Sequence, residues 1–492
     1  MKLQKLINEL LDYGLKKNIL DERDLVYSTN LLIDIFGIHE FERIPTAPRT
    51  VDAILEDLAR LAYERNIIAS DDFVTFDNFK AKVVDAIIDR PGAVIDKFYR
   101  LYEQSPHAAT DYLYNLSREV NYIQTKRISQ NIIWSHQTEY GEIELTINIS
   151  KPEKDPRLIA LQQLNPKSGY PRCRLCKENE GYRGHVNYDS RSNMRIIPID
   201  LDGERWYFQY SPYSYFAEHS IVLNEHHVPM VINEGTFRKL LAFIDMFPEY
   251  FVGSNAGLPI VGGSILDHEH YQAGRCHFPI EKAREIRIGE ADGVTVSRLV
   301  WPLSTIRARS FSKPALVKFA MKVLARWTEY ENFELSLINK PKDIHHTLTP
   351  IARRENGAYV LDLILRSNYA NDAYPYGVFH PHPQLHHIKK ENIGLIEAMG
   401  MGILPGRLKK EFALIARYLK GEEELSTDPS LEKHLHWMKQ IKETYVPGTD
   451  VDQFIRAEAG KVFSAVLKDA GVFKMDPAGG AAFAAFTAEL MR

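Results

Sequence analysis

VGGSILDHEHYQ, residues 261–272, follows the apolar residues Leu258, Pro259 and Ile260 and joins a glycine pair to a His-x-His-x-Gln pattern. Side chains alternate between the two faces of a strand, so His268, His270 and Gln272 are expected to line one wall of a sheet. Gly262 and Gly263 allow close approach of a ligand to the backbone, and their N–H groups, beside Ser264, suit phosphate oxygens. A neutral imidazole is nucleophilic toward phosphorus, and an amide can hydrogen-bond a phosphoryl oxygen. A lone histidine usually means a polar surface position. Two histidines and a glutamine behind a glycine pair point to phosphate chemistry on a sheet.

The rest of the composition bounds that reading. A chain of 492 residues is too long for one ordinary core, so two or three domains are expected. Hydrophobic residues make up 45% and charged ones 26%, as in a soluble globular protein. The 61 basic and 65 acidic side chains leave a net charge of -4, with no basic excess that would mark a nucleic-acid partner. The first twenty residues have no uninterrupted apolar core and no small-residue cleavage site, and no run is long enough for a bilayer, so neither signal peptide nor membrane partner is expected. With three cysteines there is no disulfide framework, and a cytoplasmic location is the expectation.

Along the chain, helical periodicity dominates the start. Leu3, Leu6, Ile7, Leu10 and Leu11 predict a helix over 3–20; Asp21 caps a second helix ending at Gly37; Val51, Ile54, Leu55, Leu58 and Leu61 mark a third after Thr50. Helices are also predicted over 93–103 and 107–124. Residues 1–125 are therefore read as a helical N-terminal domain. Strict alternation then predicts a half-buried antiparallel strand over 142–149, followed by the polar turn KPEKDP, and residues 126–410 have the texture of short strands, turns and aromatics. Within it, 206–210 and 220–223 read as strands and 233–248 as a helix capped by Asn233. Helices return at 408–420, 430–444 and 451–468, with an Ala-rich terminal helix. The fold class is α+β.

Two further motifs carry chemistry. Cys173-Arg-Leu-Cys176 lacks the strand-then-helix context of a redox pair and reads as half of a zinc knuckle, with His226, His227, His268 and Cys276 available to complete four protein ligands. Four protein ligands leave no open coordination position, so the metal is structural. His380-Pro-His382-Pro-Gln384 echoes the spacing of 268–272 and offers a rival nucleophile, without a glycine pair before it.

In combination these residues resemble the UDP-glucose–hexose-1-phosphate uridylyltransferases, members of the histidine-triad superfamily. The resemblance rests on CRLC at 173–176, IVLNEHH at 221–227, GGSILDHEHYQ at 262–272 and HPHPQLHHIKKENIGLIEAMGMGILPGRL at 380–408, the last like the divergent bacterial class II branch. It implies two histidine-triad-like antiparallel halves, 126–290 with the catalytic motif and 291–410 binding the sugar phosphate, followed by C-terminal helices over 411–492. It implies UMP transfer between UDP-glucose and galactose 1-phosphate by ping-pong kinetics through a uridylyl-histidine. His270 is then the nucleophile and Gln272 its phosphate partner. Asn255, Gly262, Gly263 and Ser264 lie near the phosphates, and Lys390 and Glu397 near the sugar. Cys173, Cys176, His227 and His268 are the implied zinc ligands, with His226 the substitute for His227, and His380 and His382 fall near a second metal site of some members. The resemblance implies a homodimer, UDP-sugars and hexose 1-phosphates as partners, and no organic cofactor.

One departure stands out. Where the family has proline between the two histidines, this chain has Glu269, which neither fixes φ nor removes a donor. The expectation is that Glu269 points to the opposite strand face, into solvent. Two other readings share the motifs: a histidine-triad nucleotide hydrolase or phosphorylase, and a UDP-sugar-binding module without turnover. The sugar-facing stretch 380–408 argues against the first, and an acid-labile uridylyl label on protein separates the second.

Overall fold

A computed structural model describes residues 2–150, 169–339, 344–422 and 428–492; the turn KPEKDP lies outside the described residues. The chain folds as two compact units, one made of 1–130 with 152–227 and the other of 131–151 with 228–492. This partition by packing cuts across the four stretches expected from composition and from the resemblance.

The first unit sets helices against a small sheet. Helices run Lys2–Lys16, Leu25–Phe36, Val51–Glu64, Phe73–Asp85, Pro91–Tyr102 and Pro106–Glu119. Asp21 caps a 3₁₀ turn, Glu22–Asp24, that leads into the second helix, which Gly37 ends in the left-handed conformation. The fourth helix was not expected. Asp72 starts it by accepting from the Val74 and Thr75 N–H groups. Strands Ile197–Leu201, Glu204–Tyr210 and Ser220–Asn224 pair antiparallel. Tyr210 joins the two layers, its hydroxyl donating to the Thr110 carbonyl at 3.0 Å.

The second unit holds two sheets. In the smaller, Gly141–Asn148 runs between the antiparallel Ile132–Thr138 and the parallel Met401–Pro405. The strand expected to keep one solvated face is thus central, and its polar Thr146 and Asn148 are buried too. In the larger, the strands lie in the order His270–Gly274, Phe251–Gly253, His346–Glu355, Ala358–Ser367, Thr305–Ser310, Val294–Leu299 and Glu285–Ala291, each antiparallel to the next.

Register fixes the faces of this sheet. Gln272 is opposite Gly253, Gly253 opposite Ile351, Ile351 opposite Asp362 and Asp362 opposite Arg307, so these residues share one face. His346 belongs to the other face by alternation, and there its ring stacks on Trp327 at 4.5 Å. The helix Lys313–Thr328 therefore covers that second face, beside Glu234–Met246. A Cβ added at Gly253 would lie 2.9 Å from Leu395, so the segment around Leu395 covers the first face. Helices Leu408–Lys420, Leu435–Thr444, Val451–Ala470 and Pro477–Glu489 complete the unit.

Candidate active site

The strand His270–Gly274 begins at the second histidine of the motif, so His268 lies in a bend just ahead of it. That approach is itself held as if it were strand: Met230 N–H donates to Leu266 O at 2.9 Å and Glu269 N–H to Val228 O at 2.7 Å. Glu269 is turned away from His270 but is half-buried rather than in open solvent, its carboxylate accepting the hydroxyl of the buried Tyr271 at 3.2 Å. The orientation that proline would impose comes instead from backbone pairing on both sides of His268.

His270 is 7% exposed. Its Nδ1 lies 2.8 Å from the His268 carbonyl oxygen. A carbonyl can only accept, so Nδ1 carries the proton and Nε2 carries the lone pair. Burial pushes the imidazole down to about 4, and the bond to the His268 carbonyl opposes that only partly. The ring is therefore neutral at pH 7, with one nitrogen oriented by its own chain and the other poised as a nucleophile. Gln272, two residues on, shares its face.

The loop between strands Phe251–Gly253 and His270–Gly274 carries the glycines. Neither has a positive φ. They are needed for space: a Cβ at Gly262 would meet the Ala256 carbonyl at 2.4 Å, and one at Gly263 would meet Asn255 Nδ2 at 2.8 Å. Gly263 is half-buried and Ser264 exposed. Asn255 is buried, and its Oδ1 accepts the Leu395 N–H at 2.9 Å.

In the 380–408 stretch the structure separates two adjacent lysines. Lys390 is exposed, whereas Lys389 is buried and donates to Glu397 Oε1 at 2.9 Å and to the Ile403 carbonyl at 3.0 Å. Glu397 Oε2 also accepts the Gly394 N–H at 3.2 Å, so its carboxylate is fixed at both oxygens. Lys389 was not singled out from sequence; in an irregular stretch nothing tells which of two neighbouring lysines turns inward.

The rival motif is differently used. His382 Nε2 lies 3.1 Å from the Val378 carbonyl and Nδ1 3.3 Å from the Asp469 carboxylate, with the ring stacked on Tyr374 at 4.4 Å. His380 Nε2 is 3.2 Å from Asn392 Oδ1. Neither histidine presents a lone pair as His270 does. Replacing His382 with alanine is expected to cost about 1–2 kcal/mol of stability, from the two lost polar contacts, and to change turnover less than about threefold, read by urea unfolding and steady-state kinetics.

In the first unit Cys173 and Cys176 close their knuckle with sulfurs 3.5 Å apart, and His227 Nδ1 lies 3.2 Å from the Cys176 sulfur. His226 is exposed. With zinc–sulfur bonds of about 2.3 Å and zinc–nitrogen bonds of about 2.0 Å, tetrahedral edges come to roughly 3.5–3.8 Å, so these donors fit zinc. Burial pushes the Cys173 thiol up to about 12, and the neighbouring Cys176 adds to the rise, as for thiols that need a cation to ionise. The fourth expected ligand, His268, is buried in the second unit.

Comparison with known proteins accounts for both units. The profile of the galactose-1-phosphate uridyl transferase N-terminal domain matches residues 21–229, and that of its C-terminal domain matches 243–438. Galactose-1-phosphate uridylyltransferase of Clostridium acetobutylicum is 46% identical over 98% of this chain and 98% of its own. The protein of that name from Lactococcus lactis is 44% identical over 99% of both chains. A solved structure, yeast Ap4A phosphorylase Apa2, overlaps at 13% identity and a TM-score of 0.30, over 62% of this chain and 91% of that one. Matched in both domains and along nearly its whole length, the chain belongs to the galactose-1-phosphate uridyl transferase family.

Proposed function

We propose that this protein exchanges UMP between UDP-glucose and galactose 1-phosphate through a uridylyl-histidine at His270. Nε2 attacks the α-phosphorus; the bond from that phosphorus to the oxygen bridging the two phosphates breaks, and glucose 1-phosphate leaves. A phosphate oxygen of galactose 1-phosphate then attacks the same phosphorus, the N–P bond breaks, and UDP-galactose leaves with His270 restored. Both the leaving and the attacking groups are phosphate anions, so no strong general acid or base is required. Gln272, the Asn255 amide and the N–H groups of Gly262, Gly263 and Ser264 are assigned to the transferring phosphoryl oxygens. Glu397 and Lys390 are assigned to the hexose phosphate, with Lys389 holding Glu397. In this division 126–290 carries the nucleophile and 291–410 the sugar-phosphate residues, within a cytoplasmic homodimer.

The observation that carries the reading is the tautomer of His270: Nδ1 is committed to the His268 carbonyl, so the neutral ring directs its lone pair from Nε2. The test is incubation with UDP-glucose labelled in the uridylyl phosphate and no acceptor. Acid-labile, base-stable label on protein is expected, chased off by galactose 1-phosphate. Bound UDP-glucose without label would overturn it in favour of direct displacement or simple binding.

The zinc belongs to the same reading. Cys173, Cys176 and His227 are proposed to hold one structural ion, with His268 the fourth ligand that the resemblance implies; four protein ligands leave no reactive position. Metal analysis is expected to give one zinc per chain. A strong chelator should lower the thermal midpoint by well over about 5 °C, because structural zinc contributes directly to folding free energy.

A further inference from the structure

Asn255 connects two parts of the site that the sequence holds 140 residues apart. A backbone N–H only donates, so the bond from Leu395 settles which way the buried amide faces: Oδ1 toward Leu395 and Nδ2 toward the glycine loop. Both ends are closely confined. A Cβ at Gly263 would lie 2.8 Å from Nδ2, and one at Gly394 would lie 3.2 Å from Oδ1. Glycine at both positions makes room for this one side chain.

The segment that Leu395 belongs to carries Glu397. Lys389 and the Gly394 N–H orient the Glu397 carboxylate within that segment. Arg366, fully buried on the sheet below, donates from Nη2 to the Ile393 carbonyl at 2.6 Å. Its Nε and Nη1 have no hydrogen-bond partner among the described residues, so it makes one bond to the segment and leaves the segment's rotation about that point to other contacts. Asn255 supplies the second fixed point two residues on, and it does so from the loop that leads to the nucleophile.

We propose that Asn255 is a positioning residue that joins the uridylyl site to the hexose-phosphate site. Its NH₂ end serves the transferring phosphate, and its Oδ1 end, through the Leu395 N–H, sets the Glu397 carboxylate for the sugar phosphate. The proposal rests on the UMP-transfer reading above.

The two ends can be separated with two variants and two uridylyl donors. Asn255→Ala removes both ends. Asn255→Asp keeps an acceptor for Leu395 and replaces the donor facing the phosphate with a second oxygen. UDP-glucose uses both sites; uridine 5′-(p-nitrophenyl phosphate) uridylylates His270 without a sugar phosphate and releases p-nitrophenolate. Asn255→Ala is expected to raise KM for galactose 1-phosphate about tenfold or more and to speed hydrogen exchange at the Leu395 amide. Asn255→Asp is expected to keep that KM within about threefold of wild type and the amide protected, because both displacements at the phosphorus slow together, each about 100-fold, the first of them from either donor. An unchanged KM in Asn255→Ala overturns the proposal, as does a KM in Asn255→Asp that rises as far as in Asn255→Ala while the Leu395 amide stays protected. Wild type that takes no label from either donor would instead overturn the uridylyl-histidine reading itself.

Discussion

Replacing His270 with glycine is expected to stop UMP exchange, by at least about 10,000-fold, and to leave the protein folded. The size follows from the role: without the imidazole there is no first displacement, and galactose 1-phosphate has no intermediate to attack. The stability cost is expected to be small because, among the described residues, the side chain's hydrogen bond goes to the His268 carbonyl two residues back, not to a distant element. Losing that bond and adding glycine to the start of a strand comes to about 1–2 kcal/mol. The check is single-turnover transfer of labelled UMP together with circular dichroism and urea unfolding. Full activity in the variant would refute the assignment, and retained activity there with a total loss in His382→Ala would move the nucleophile to the second copy. His270→Gln is the complementary variant: it fills the site with a side chain that hydrogen-bonds but cannot take up phosphorus, and it is expected to bind UDP-glucose without turnover.

The motif was legible because its chemistry is local. Spacing put His270 and Gln272 on one face, and the structure places them so. Helix Leu408–Lys420 was also readable to the residue, since its apolar stripe ends at Gly421 in the left-handed conformation. Other features depend on partners far along the chain. Strand Met401–Pro405 has no alternating pattern of its own and becomes strand by pairing in parallel with Gly141–Asn148. Alternating Ile143, Leu145 and Ile147 implied a solvated second face; Glu142 is exposed on it, but Thr146 and Asn148 are covered, which local pattern cannot report. The helix Lys313–Thr328 did leave signals within a strand-rich region: Ser312 as cap, Pro314 in its first turn, and Leu316, Phe319, Ala320, Val323 and Trp327 at helical spacing. Asn255 could be placed near the phosphates by motif, but its bond to Leu395 exists only in three dimensions.

Replacing Asp362 with alanine is expected to destabilise the second unit by about 3–5 kcal/mol, measured as a lower urea midpoint. Asp362 is fully buried; Arg307 donates to both its oxygens, at 2.6 and 2.8 Å, and Arg353 donates at 2.8 Å. Burial alone would raise this carboxyl, but Arg353 and Arg307 hold it down to about 2. An unfolded aspartate titrates near about 3.9, so the group's stabilisation is present above that pH and is lost as pH falls toward about 2. The alanine variant should lose that acid-dependent component together with its neutral-pH stability, and Asp362→Asn should fall between, keeping shape and one acceptor. A loss below about 1 kcal/mol would show that Glu285, 3.0 Å from Arg307, already compensates the buried cation. The larger loss is expected because, among the described residues, Arg353 has no other hydrogen-bonded carboxylate this close: Glu281 and Glu355 stand at 3.7 and 3.9 Å. The cluster also bears on catalysis through register. Asp362 stands on the rung that passes through Ile351 and Gly253 to Gln272. Slipping its strand by one residue would set Arg307 opposite Leu361 or Leu363 and strand a buried guanidinium among apolar side chains. The same rung places Gln272, and His270 by alternation, on the face that carries the ion cluster, away from the Trp327 helix.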